Sequence, residues 1–216
     1  GIAPALLQRP YARVSAQAYA RLWRAIAAAA DDEFFGMNGR RMKSGSFAYM
    51  AHAALREADV GRALESMLSF LGLIFDGLQP RLERQGSLAQ IVFDEGGRPP
   101  CRAFACFTLW LMLHGLACWL AGRRIAILGV ELRCAAPDYC GDYRVMFSDH
   151  LRVDRPHNRL LFTADCLALP VRRSEMQGKG LGMAIARSVM EGHGGHLAVE
   201  RAHPEGGARV TLWWPR

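Results

Sequence analysis

The chain has 216 residues, about half of them apolar and 22% charged, which is the composition of an ordinary globular protein large enough for one domain or a domain with an appendage. Net charge is +7 and the sequence pI is near 9.4, yet 25 of the 27 basic residues are arginines scattered singly or in pairs. No dense basic run tracks a phosphate backbone, and the pattern argues against nucleic-acid binding by charge alone. The first predicted helix lies in "VSAQAYARLWRAIAAAADDEFFG". Tyr19, Leu22, Trp23 and Ile26 form a helical stripe there, Ser15 is placed to cap it and Gly36 to stop it. "SGSFAYMAHAALREADVGRALESMLSFLGLIFDG" carries two more helices, the first capped by Ser46 and the second starting at Asp59 to Gly61. The period then changes: "RLERQGSLAQIVFDEGG" alternates about a Gln85-Gly86-Ser87 turn and predicts a hairpin.

An apolar stretch, Phe104 to Gly122, reads as a buried core helix rather than a membrane span, because His114 interrupts it. "AILGVELRC" predicts a strand, "DYCGDYRVMF" a short helix, and "HLRVDRPHNRLLFTAD" a strand, a bend at Pro156 and a strand. Three helices followed by strands with interposed helices give an α+β fold, a helical N-terminal part packed on a mostly antiparallel sheet. A polar stretch, Pro170 to Gln177, divides the chain near Glu175 into residues 1–175 and 176–216. The second part predicts a helix and a two-strand appendage, with Leu181, Ile185, Val189 and Met190 on one helical face and Leu197, Val199, Val210 and Leu212 in strands. That apolar surface calls for a partner, either the open sheet edge of the first part or a second copy.

Cys101, Cys106, Cys118, Cys134, Cys140 and Cys166 fit no zinc spacing and read as free thiols in a reducing cytoplasm. No signal peptide or membrane span is apparent, and the chain begins with Gly rather than Met, which points to an upstream extension. Trp110, His114 and Cys118 recur every four residues on one helix face. If a small-molecule pocket exists, that face against Trp23, Phe47 and Phe70 is its expected wall, although plain core packing accounts for the same residues. His193, His196 and His203 do not make a metal site, no local catalytic motif appears, and no cofactor is expected.

Two resemblances run through the chain. "GIAPALLQRPYARVSAQAYARLWRAIA", "GSFAYMAHAAL", "ALESMLSFLGLIFD", "LHGLACWLAGRRIAILGVEL" and "YRVMFSDHLRVDRPHNRLLFTADCLALPV" make residues 1–175 resemble the N-terminal effector domain of AraC-type bacterial transcription regulators. That resemblance implies a domain that senses a small molecule or dimerises, followed in the family by helix-turn-helix units. This chain continues instead into "MQGKGLG", so it is expected to bind no DNA sequence specifically.

"GKGLGMAIARSVMEGHGGHLAVE" with "EGGARVTLWWP" makes the remainder resemble the C-terminal end of sensor histidine kinases. Gly178, Gly180 and Gly182 match that family's last glycine-rich box, where glycines let the backbone approach phosphates and a helix N-terminus follows. Such a site also needs an asparagine-bearing helix, an adenine-binding turn and a phosphoacceptor histidine. Asn158 and the Asp94 to Gly96 turn are the nearest candidates, and both sit in strand or hairpin patterns. The expectation is a cytoplasmic, homodimeric, non-enzymatic sensing module with an unknown effector and an inactive kinase-like tail. The alternatives are an ATP-binding kinase fragment and a ligand-free dimerisation scaffold.

Overall fold

The computed structural model describes residues 2–8, 14–172, 196–201 and 208–213. A short α1 (Pro4–Leu7) precedes α2 (Ala16–Ala30), α3 (Ser46–Ala54) and α4 (Val60–Ile74). Then come β1 (Gln79–Gln85), β2 (Leu88–Asp94), α5 (Ala103–Ala121), β3 (Ile127–Glu131), α6 (Cys140–Met146), β4 (Leu151–Arg152) and β5 (Asn158–Thr163). A 3-10 turn over Ala164–Ala168 closes this part, and β6 (His196–Arg201) and β7 (Ala208–Trp213) follow. The α+β reading stands.

Local chemistry sets the helix ends. The Ser15 hydroxyl accepts from the Ala18 N–H at 3.2 Å, and the Asp59 carboxylate accepts from the Arg62 N–H at 2.9 Å. Two predicted boundaries move. Gly36 does not stop α2, which ends at Ala30 because Asp31 turns into the left-handed region at φ 47°. Asp32 then organises the following loop, its buried carboxylate accepting from the N–H groups of Phe34, Gly36 and Met42 at 2.7–2.9 Å. Ser46 is the first helical residue of α3 rather than its cap; Gly45, at φ 94°, holds the cap position without a side-chain bond.

The hairpin forms in register, Gln85 opposite Leu88, with Gly86 at φ 59° in its two-residue turn. The sheet order is β1-β2-β5-β3-β4, antiparallel throughout except for the parallel β3–β4 pair. The predicted strand, bend and strand around Pro156 are therefore not partners, because β3 lies between β4 and β5. Ala89, Ile91, Phe93, Val130, Leu160 and Phe162 are all buried in the core with α3, α4 and α5. α5 is long and apolar enough to cross a membrane by length and composition, but most of it is buried inside the protein as the core helix.

The opposite face of the sheet carries Leu88, Val92 and Leu161 together with polar groups that are joined in a line. Arg81 donates to Glu83 at 2.6 Å, Gln90 to the other Glu83 oxygen at 2.6 Å, and Arg159 to Gln90 at 3.3 Å and to Glu131 at 2.6 Å. Each link joins residues that strand alternation puts on that face, and the chain of bonds crosses β1, β2, β5 and β3.

β6 and β7 pair with each other as a separate two-stranded sheet and do not extend the five-stranded one. Leu197 lies opposite Leu212 and Val199 opposite Val210, so these four positions share one face. The tail glycines Gly178, Gly180 and Gly182, the predicted tail helix, His193 and His203 lie outside the described residues.

Candidate functional site

Helical spacing brings Trp110, His114 and Cys118 into one row along α5, as the sequence implies. Trp110 is fully buried. Phe93 of β2 stacks on it with centroids 5.4 Å apart and planes 14° apart, and Phe107 meets it edge-on at 5.6 Å. Phe107 in turn lies face to face with Tyr143 of α6 at 3.6 Å, and Phe147, one turn further on, packs on Phe107 at 4.7 Å. Burial raises the Tyr143 hydroxyl pKa above the ordinary tyrosine range. The Trp110 indole Nε1 is, among the described residues, the buried side-chain N or O atom that has no hydrogen-bond partner. A buried donor without an acceptor costs about 1–3 kcal/mol. The arrangement is an apolar wall with one polar atom to satisfy.

The other two members of the row grip the chain as it enters β3. His114 Nε2 lies 2.8 Å from the Ile125 carbonyl oxygen; a carbonyl only accepts, so Nε2 carries the proton. The Cys118 sulfur accepts from the Ile125 N–H at 3.3 Å, and burial pushes its thiol up to about 11. Both residues are engaged with this one backbone unit.

Trp23, Phe47 and Phe70 occupy other contacts. Trp23 packs on Phe35 at 4.5 Å and stacks on Phe104 at 6.0 Å, in the first turn of α5 and on a different face from Trp110. The Phe47 N–H donates to Glu33 at 2.8 Å where α3 begins, and the Phe70 ring lies 5.8 Å from Tyr49. The ring partners of Trp110 are instead Phe93 and Phe107, with Tyr143 and Phe147 packed behind Phe107. Their spacing held a partial signal, since Phe107 and Trp110 are three apart and Tyr143 and Phe147 four apart on helices. Nothing local connects those two pairs to each other or to β2.

A second assembly is polar and buried. The Glu95 carboxylate, just past β2, accepts from Asn158 Nδ2 at 2.7 Å, from the Cys101 N–H at 2.9 Å and from the Arg133 guanidinium. The Asn158 side-chain oxygen Oδ1 accepts from the Arg133 backbone N–H at 2.9 Å. These bonds tie the connection between β2 and α5 to the end of β3 and the start of β5. Asn158 is on a strand, buried, with its side-chain amide engaged on both sides. Asp94 is similarly occupied, accepting from the Gly96 N–H at 2.9 Å and pairing with Arg81 at 2.9 Å, as an ordinary turn would have it. No group of His, Cys, Asp and Glu able to hold a metal ion occurs among the described residues.

No curated protein matches the chain. A family model described as "Histidine kinase-, DNA gyrase B-, and HSP90-like ATPase" matches residues 130–216, and its first part falls on β3, α6, β4 and β5 of the domain described above. The model described as "Arabinose-binding domain of AraC transcription regulator, N-term" matches residues 1–171, from the first helix through the last strand of the five-stranded sheet. With most of its length so matched, the chain belongs to the family of N-terminal arabinose-binding domains of AraC transcription regulators.

Proposed function

We propose that this chain is a cytoplasmic small-molecule-sensing module that does no chemistry of its own. Residues 1–175 are its effector domain and 176–216 a kinase-like fragment that does not turn over nucleotide. Membership of the AraC effector family supports a ligand-sensing regulatory domain. The observation that carries the reading further is the unpartnered, buried indole N–H of Trp110, a residue whose ring packs on Phe93 and Phe107. It suits an apolar or mixed ligand that brings one hydrogen-bond acceptor. A ligand that binds better to one arrangement of the domain would bias that arrangement and whatever is attached to it, including a second copy in a homodimer.

The test is a thermal-shift screen of small amphiphilic acids, alcohols and ketones on the full chain, repeated on Trp110→Phe. A hit raises the melting point because it adds RT ln(1 + [L]/Kd) to the free energy of unfolding. Losing one hydrogen bond of about 0.5–1.5 kcal/mol weakens it roughly 2- to 12-fold in the variant. A hit with unchanged affinity for Trp110→Phe moves the site elsewhere. Melting that depends on protein concentration but on no compound favours a ligand-free dimerisation scaffold.

The kinase-like match at 130–216 motivates the second reading, an ATP-binding fragment. Against it stand the structural employment of Asn158 and Asp94. Millimolar Mg-ATP is expected to leave the melting point unchanged, and a dose-dependent rise would favour the nucleotide reading. No sequence-dependent DNA affinity is expected of this chain in a gel shift at physiological salt.

A further inference from the structure

We propose that Cys101 and Cys106 form a redox-modifiable dithiol that closes to an intramolecular disulfide in the folded protein. Arg102 is the N-cap of α5, which makes Cys101 the residue before the cap and Cys106 the fourth helical residue. Those two positions meet across the start of a helix and commonly hold a hydrophobic staple. Here both staple residues are thiols, and their sulfurs lie 2.7 Å apart. That is inside ordinary van der Waals contact between sulfurs and near the approximately 2.05 Å of a disulfide bond, so little movement separates the two states. The Glu95 carboxylate holds the Cys101 backbone N–H at 2.9 Å and so fixes the approach of the loop. Cys101 is half-buried and Cys106 fully buried, which makes Cys101 the entry point for a reagent. The mutual hydrogen bond, then burial, raises the Cys106 thiol, which makes Cys106 the resolving rather than the attacking thiol.

The oxidant class is a low-molecular-weight disulfide such as oxidised glutathione. The Cys101 thiolate attacks one reagent sulfur; a Cys101–reagent bond forms, the reagent S–S bond breaks, and the leaving thiolate takes up a proton equivalent to the one Cys101 released. Cys106 then gives up its proton and attacks the Cys101 sulfur. The protein disulfide forms, the mixed disulfide breaks, and the second reagent thiol departs with that proton. In sum the two protein thiols lose two electrons and two protons, and the reagent disulfide gains both.

The experiment uses the full chain treated with oxidised glutathione, quenched by alkylation and digested with trypsin without reductant. Cleavage after Arg102 puts the two cysteines on separate peptides, 85–102 and 103–123, the second of which also carries Cys118. The expected result is a linked pair of these peptides, lighter by two hydrogens than their sum, that reductant separates. The link persists in Cys118→Ser and Cys134→Ser and is lost in Cys106→Ser. The Cys118→Ser chain decides the matter by itself if Cys106→Ser fails to fold. Recovery of Cys101 carrying only glutathione, of both thiols alkylated, or of a link from Cys101 to Cys118 or Cys134 overturns the proposal.

Discussion

Glu95→Ala removes the acceptor on which three donors converge, two of them, from Arg133 and Asn158, far away in the chain. The Glu95 side chain is 5% exposed and the Arg133 side chain 27%, so solvent does little to replace the lost carboxylate. Asn158 is fully buried, and its amide N–H would be left without an acceptor at about 1–3 kcal/mol. The Arg133 guanidinium would lose its buried counter-charge, and breaking such a pair from one side costs about 3–5 kcal/mol. The two effects share one carboxylate and do not add, so the expected loss is about 3–5 kcal/mol in total. For a chain of this length that lowers the melting point by roughly 6–20 °C, at about 2–4 °C per kcal/mol. Urea unfolding of wild type and variant reads it as a fall in midpoint at constant slope. Glu95→Gln keeps one acceptor oxygen and should lose only about 1–2 kcal/mol, the charge-assisted part. A Glu95→Ala protein within about 1 kcal/mol of wild type would refute the idea that this carboxylate ties β2, β3 and β5 together.

Acid should loosen the line of polar groups across the sheet. The bond from Arg81, then that from Gln90, holds the Glu83 carboxyl below the usual range; for Asp94 the Gly96 N–H comes first and Arg81 second. A depressed folded pKa contributes stability that is present above the unfolded value and is lost as pH falls through the folded one. Urea midpoints should therefore drop as pH falls below about 4, and Arg81→Gln should flatten that drop. An identical pH dependence in the variant would contradict the assignment. Asp59→Ala deletes the cap of α4, with an expected cost of about 1 kcal/mol, while Asp59→Asn keeps most of it; equal melting points for both variants would show that the cap bond contributes nothing.

Sequence alone determined whatever depends on neighbours within a few turns of chain. The stripe through Trp23 and the caps at Ser15 and Asp59 specify helices because the groups involved lie three or four residues apart. The alternation about Gly86 specifies a hairpin for the same reason. The row of Trp110, His114 and Cys118 was legible because a helix repeats nearly every four residues, and both family resemblances were legible as ordered motifs. Tertiary structure alone decided the rest. Alternation marks β4 and β5 as strands but carries no instruction that β3 enters between them. Asn158 reaches Glu95 across 63 residues, and Phe93 and Tyr143 come to α5 from a strand before it and a helix after it. Those meetings are set by which buried surfaces fill one common core and by which polar groups must find partners inside it. No local period encodes either condition, because both are properties of the whole packed chain.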